Sequence, residues 1–355
     1  MIEKTHFELE RVTPTNLFEQ LDKHVIGQHR AKRVMALAAY NHIKRIKQLN
    51  ELGKTNLKKS NVLLIGPTGV GKTHLARTMA QILNLPFVVV DATEYTEAGY
   101  YGKDVEVMIA ELLYSVNMDV HACERGIIFV DEIDKVSRRS GGMRTGTTRD
   151  IGGEGVQQAM LKLLEGRKVF VPQNVTQHWN KHDFVEIDTT NILFICAGTY
   201  TDLRGKKVSG NVGFSESEIL RVSRENKVTQ RELTDYGMLP ELLGRIPVIV
   251  QLMQLDAEDL ARILVEPPDS LLNEFKEVFK LDNIELEMSK AALKEIADFA
   301  IKRRTGARGL RSIIEEVLHD DMFNAPETKA KKIKITPKTV KAKLESFDSG
   351  MLSED

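Results

Sequence analysis

Two cysteines in 355 residues, Cys123 and Cys196, are too few for a disulfide framework or a four-thiolate zinc site. They read as small buried hydrophobes. No apolar run reaches the ~18–20 residues of a membrane span, and the polar opening Met1-Ile2-Glu3-Lys4-Thr5-His6 is no signal peptide. Charge of one sign is missing too: 50 Lys and Arg stand against 51 Asp and Glu. A chain that coats DNA or an anionic membrane carries a large positive excess, so those roles are disfavoured. These absences predict a cytoplasmic protein of a reducing compartment. The 42% hydrophobic and 28% charged fractions are ordinary for a soluble chain. At ~150 residues per domain, the length suggests about two domains.

Several apolar blocks end at turn residues. Asn61-Val62-Leu63-Leu64-Ile65 runs into glycines, Pro86-Phe87-Val88-Val89-Val90 ends at Asp91, and Gly126-Ile127-Ile128-Phe129-Val130 ends at Asp131. Asn191-Ile192-Leu193-Phe194-Ile195-Cys196 ends at Ala197-Gly198. Such β-branched runs predict strands buried on both faces, as in a parallel sheet. Ile246-Pro247-Val248-Ile249-Val250 makes a fifth strand, which Pro247 pushes toward a sheet edge. Helical patterns over 73–84 and 104–123 lie between them. The alternation predicts an α/β fold, a parallel sheet with flanking helices. After residue 255 the pattern becomes helical: 256–265, 270–279, 289–303, capped by Ser289 and ended by Gly306, and 307–322. A strand at 332–335 and a helix led by Pro337 follow. The reading is a large domain over 1–255, a smaller mainly helical α+β domain over 256–345 and a tail over 346–355. The stretch 199–226 is a long Gly-, Ser- and Lys-rich loop, uncommon inside a compact domain without a function.

Gly66-Pro67-Thr68-Gly69-Val70-Gly71-Lys72-Thr73 fits G-x-x-x-x-G-K-[ST] and stands between a predicted strand and helix. Glycines let backbone N–H groups wrap phosphates, and the helix start adds partial positive charge. Lys72 suits the β- and γ-phosphates, and the Thr73 hydroxyl suits Mg²⁺. Asp131, at the end of a strand beside that loop, is a candidate for the Mg²⁺ shell. Glu132 is a candidate to deprotonate the attacking water. An Asp-Glu pair after a strand is often a plain polar turn; paired with the upstream loop, it predicts ATP hydrolysis.

These residues resemble the AAA+ superfamily of P-loop ATPases and, within it, the ClpX family of protein unfoldases. The resemblance spans about residues 12–345. It includes Val25-Ile26-Gly27-Gln28, the two nucleotide motifs and Gly99-Tyr100-Tyr101-Gly102. Further along it takes in Gly153-Glu154-Gly155-Val156-Gln157-Gln158, Pro240-Glu241-Leu242-Leu243-Gly244-Arg245 and Thr305-Gly306-Ala307-Arg308. It implies an adenine pocket at Val25 and Ile26, which otherwise read as a buried turn before a helix. It also implies an arginine finger at Arg245, reaching the nucleotide of a neighbouring subunit, and a sensor arginine at Arg308. On the residues alone, both arginines read as surface or salt-bridged. A finger in trans implies a ring, and the family forms homo-hexamers.

The resemblance makes Tyr100 and Tyr101 a pore loop gripping unfolded or tagged protein substrates, Tyr101 standing where the family has an aliphatic residue. The 144–150 stretch aligns with a second pore loop. Val212-Gly213-Phe214 resembles the tripeptide that plugs into a ClpP-like peptidase; the alternative is a phenylalanine folded onto its own domain. Two departures follow. The family commonly starts with a four-cysteine zinc domain, absent from this sequence, so a form without that domain, natural or trimmed, is expected. Gln177-His178-Trp179-Asn180-Lys181-His182 stands where the family has an Arg-Lys-His loop, predicting altered substrate preference. The leading expectation is an ATP-driven ring unfoldase feeding a peptidase. A stand-alone remodelling chaperone is the first alternative. A nucleic-acid motor is the second and weaker one, because a nucleic-acid channel needs a basic track.

Overall fold

Helix starts and stops in this chain follow from local chemistry. In the first helix, α1 (Pro14–His24), Pro14 opens the first turn and Thr13 caps it by accepting from the Asn16 N–H at 3.2 Å. A left-handed pair, Gly27 and Gln28, then turns the chain into α2 (His29–Leu52), which ends at left-handed Gly53. The computed structural model describes residues 12–53, 55–96, 103–137, 153–172, 184–201, 203, 228–328 and 330–351. Tyr100, Tyr101, Val212, Gly213, Phe214, the 144–150 stretch and the 177–182 stretch lie outside the described residues.

The first strand, β1 (Val62–Ile65), leads through the glycine loop into α3 (Lys72–Leu83). Next come β2 (Phe87–Asp91) and two short strands, β3 (Tyr95–Thr96) and β4 (Lys103–Asp104). The helical pattern expected over 104–123 divides into α4 (Val107–Ser115) and α5 (Val120–Cys123). Left-handed Asn117 and Met118 break it, and Asp119 restarts it by capping Ala122. Then follow β5 (Ile127–Asp131), α6 (Glu154–Glu165) and a hairpin of β6 (Lys168–Pro172) and β7 (Phe184–Asp188) that the sequence reading did not anticipate. The large unit closes with β8 (Leu193–Gly198), α7 (Gln230–Tyr236), α8 (Pro240–Arg245) and β9 (Val248–Gln251).

Five strands form one parallel sheet in the order β2-β5-β8-β1-β9. Side chains alternate faces along each strand. Leu63 and Ile65 of β1 therefore enter one apolar core with Val130 and Phe194, while Val62 and Leu64 enter the other with Phe129 and Ile195. Every residue of β1 and β8 is buried, as expected for inner strands. Pro247 does precede an edge strand, β9. The other edge departs from expectation: β2 is not buried on both faces, and Val89 is exposed, because no strand covers its outer side among the described residues.

A third apolar core builds the second unit. It contains α9 (Ala257–Ile263), α10 (Leu271–Leu281), β10 (Glu285–Met288), α11 (Lys290–Lys302), α12 (Leu310–Asn324), β11 (Lys332–Ile335) and α13 (Pro337–Met351). Ser289 caps α11 through the Ala292 N–H, as expected. Before α12 the chain makes a 3₁₀ turn, Gly306–Gly309, where a continuous helix was expected. β10 was not anticipated either. Its charged residues disguise a strand, and Glu285 and Glu287 pair across the ladder with Lys332.

Candidate active site

The loop between β1 and α3 is shaped by three glycines with different reasons. Gly66 donates to the Gly198 carbonyl at 3.2 Å, and a Cβ there would press on Leu252 at 3.1 Å. Gly69 and Gly71 have φ of +77° and +89°, which side-chain-bearing residues seldom adopt. A Cβ on Gly69 would stand 2.8 Å from the Thr305 carbonyl, whereas one on Gly71 would meet nothing within 4 Å. Gly71 thus faces open space in a cavity of about 340 Å³ at the start of α3. Val70 turns the other way and is buried in the core. Pro67 is half-buried and Thr68 is exposed at the rim. Lys72 is buried, and its ammonium donates to the Gly66 and Pro67 carbonyls at 2.8 and 3.0 Å. That places one positive charge and the helix start on the same cavity. Thr73 completes this wall.

Asp131 and Glu132 form the opposite wall. Their strand is not adjacent to β1, since β8 stands between, yet both carboxylates line the same cavity as the glycine loop. The Asp131 Oδ1 accepts from the Glu132 N–H at 2.9 Å, and Glu132 is left-handed with φ of 55°. Because β8 ends between the two motifs, Thr199 also lines the cavity. Asp134 joins it, accepting from the Thr199 hydroxyl at 2.9 Å. Sequence reasoning missed both. Only the third carboxylate of Asp131-Glu132-Ile133-Asp134 and a threonine just past a strand hinted at them.

The remaining predicted residues divide sharply. Arg308, on the 3₁₀ turn of the second unit, lines the phosphate cavity, anchored by the Ala307 N–H on the Gly69 carbonyl at 3.1 Å. Arg245 lies elsewhere. Its carbonyl accepts from Asn61, just before β1, and its guanidinium pairs with Glu165 at 3.0 Å. It therefore sits at the amino end of a strand whose carboxyl end carries the glycine loop, a separation of ~13 Å or more. Val25 and Ile26 are buried, Val25 in the core that Val62 and Leu64 enter, and neither is among the residues that line the phosphate cavity. The Val25 carbonyl accepts from Lys32 at 2.7 Å, and the neighbouring His24 carbonyl meets the ring of His74, a cavity residue, at 3.2 Å. A polar cradle with a buried ammonium, left-handed glycines and three carboxylates fits a nucleotide polyphosphate with its divalent cation.

Comparison with known proteins agrees with this geometry. Residues 57–249 match the family described as AAA domain (Cdc48 subfamily), and 255–341 match the C-terminal, D2-small domain, of ClpB protein. A shorter match over 26–83 is to IstB-like ATP binding protein. The chain is 47% identical over 330 residues to the ATP-dependent Clp protease ATP-binding subunit ClpX of Treponema denticola, covering 90% of this chain and 79% of that protein. Against the same-named subunit of Borrelia duttonii it is 44% identical over 337 residues, covering 92% of this chain and 78% of that protein. The chain belongs to the ClpX family. As a member of the ClpX family with an AAA domain, it is an ATP-binding protein and an ATPase. Among the described residues, no helix is long and apolar enough to cross a membrane.

Proposed function

We propose that this chain is an ATP-driven unfoldase and translocase that works as a homo-hexameric ring, grips polypeptide in its pore and delivers it to a ClpP-like peptidase. The large unit up to about residue 255 would be the motor core and the unit after it a lid that responds to nucleotide. Lys72 and the loop N–H groups bind the phosphates. Thr73 and Asp131 hold Mg²⁺, which when bound neutralises charge on the β- and γ-phosphates. Glu132 accepts the proton of the attacking water. Arg308 senses the phosphates from the second unit. Arg245 stabilises the charge that builds on the phosphoryl group, its planar guanidinium staying protonated throughout. Val25 and Ile26 supply an apolar slot for the base. Tyr100 and Tyr101 press on the substrate chain, and Val212, Gly213 and Phe214 dock the peptidase.

The observation that carries this reading is the opposite placement of the two arginines. Arg308 reaches the chain's own cavity; Arg245 is held a strand length away from it, at the other end of the sheet. An arginine so placed serves a nucleotide only in a neighbouring copy, which supports a closed ring. Mixing Arg245→Ala with Glu132→Gln subunits tests it. Each variant alone should lose ATP hydrolysis, while mixed assemblies should recover part of it, because Glu132→Gln subunits lend Arg245 to neighbours with an intact Glu132. No recovery at any ratio would count against catalysis in trans. Degradation of an unfolded model substrate with and without a ClpP-like peptidase, repeated with Phe214→Ala, separates a protease motor from a stand-alone chaperone.

A further inference from the structure

The turn bearing Glu132 is anchored at its far end by a residue to which no role has been given. Asp134 is 3% exposed, although it is a carboxylate. One oxygen, Oδ2, accepts both the Thr199 hydroxyl at 2.9 Å and the Tyr200 backbone N–H at 3.3 Å. Among the described residues it has no ion-pair partner, so its buried charge rests on those hydrogen bonds. Its surroundings are tightly fitted. A Cβ on Gly198 would stand 2.8 Å from the Asp134 Oδ1 and 2.6 Å from the Tyr200 ring. Tyr200 is left-handed with φ of 50°, fully buried, and rests against the Tyr236 ring at 5.0 Å.

These contacts join two strand exits. β5 leaves the sheet through Asp131 and left-handed Glu132, and the Glu132 carbonyl accepts from the Lys135 N–H at 2.9 Å, closing the turn. β8 leaves beside it through Thr199 and Tyr200. We propose that Asp134 is a positioning residue for ATP hydrolysis: by tying the β5 exit to the β8 exit, it holds Glu132 at the phosphate cavity. The inference rests on the reading of Glu132 as the base. Glu132 is exposed and has no hydrogen bond of its own side chain among those described, so its aim depends on the backbone beneath it. The Asp131 bond holds one end of that backbone and Asp134 the other. A misplacement of about 1 Å at a reacting group costs on the order of 100-fold in rate.

Because both donors converge on a single oxygen, asparagine retains both hydrogen bonds and removes only the charge. Steady-state ATPase kinetics and binding of a fluorescent ATP analogue, measured on the assembled full chain, test the proposal. Asp134→Ala should lower kcat by ~10–100-fold with KM within about threefold of the parent, whereas Asp134→Asn should keep kcat within about threefold. An Asn variant as damaged as the Ala variant would show that the charge, not the anchoring, is what matters, and would overturn the proposal. So would parental kcat in Asp134→Ala. Should the Ala variant not fold, Asp134→Asn and Thr199→Val decide: near-parental kcat in the first and lowered kcat in the second support anchoring, and either opposite result overturns it. Glu132→Gln run alongside separates the two levels. Hydrolysis by that variant defeats the base assignment itself; an inert Glu132→Gln with a parental Asp134→Ala defeats only the anchoring role.

Discussion

The Ala307 N–H donates to the carbonyl of Gly69 at 3.1 Å, so the second unit holds the phosphate loop by its backbone. The two backbones are close enough that a Cβ on Gly69 would collide with Thr305, and one on Gly306 would lie 3.1 Å from the Gly69 carbonyl. The contact sets Arg308, the next residue, into the lining of the cavity.

Gly69→Ala tests that contact. At φ of +77° an alanine costs ~1–2 kcal/mol in backbone strain, and its Cβ also pushes Thr305 away. Expected are a lower melting temperature and a loss of ATPase activity larger than the loss of nucleotide binding. Calorimetry and a turnover assay check this; unchanged turnover would show that the contact is dispensable.

Lys72→Ala should lose nucleotide binding, because among the described residues no other buried ammonium lines the cavity. Glu132→Gln should bind ATP and fail to hydrolyse it, since the amide accepts no proton from water. Titration with a fluorescent nucleotide and phosphate release distinguish the two defects.

Asn61 is fully buried and bridges three elements: it donates to the Arg245 carbonyl at 2.9 Å and accepts from the Phe194 N–H at 3.2 Å. Asn61→Ala should cost ~1–3 kcal/mol, because it leaves buried backbone groups unpaired. It should also lower ATPase activity by releasing Arg245, with ATP binding retained. Denaturant unfolding and kinetics together check both parts.

Burial pushes the thiols of Cys123 and Cys196 up to about 12. At pH 8 only about one in 10⁴ of either is thiolate, the reactive form. Alkylation by iodoacetamide should be negligible in the folded protein and complete at both sites in denaturant, as mass spectrometry would show.

His42 is fully buried, and burial lowers its pKa from 6.5 to about 4. Between those values the unfolded chain binds a proton that the folded chain does not. Stability from this group is therefore whole above pH 6.5 and is lost as pH falls toward 4, by about 2 kcal/mol at pH 5. Melting temperatures from pH 7 to pH 5 should fall less steeply in His42→Gln than in the parent.

Features read correctly from the sequence are those set by neighbours in the chain. The β-branched blocks, the Ser289 position before its helix, Pro247 at an edge and the glycines of the phosphate loop all act within a few residues of themselves. Where the reading failed, distance or disguise was responsible. β10 alternates charged and apolar residues, and its glutamates make sense only opposite Lys332. The break at Asn117 and Met118 uses left-handed residues that are not glycine, so composition does not announce it.

The ATP-binding motif was legible in one dimension because phosphate binding needs glycines and a lysine between a strand end and a helix start. Which of those ends meet was not. The insertion of β8 between β1 and β5 brings Thr199 and Asp134 together, and docking of the second unit admits Arg308. The return of α8 to the far end of β1 sets Arg245 away from its own cavity. Strand order and the docking of separate cores depend on surfaces hundreds of residues apart, and no local periodicity encodes them.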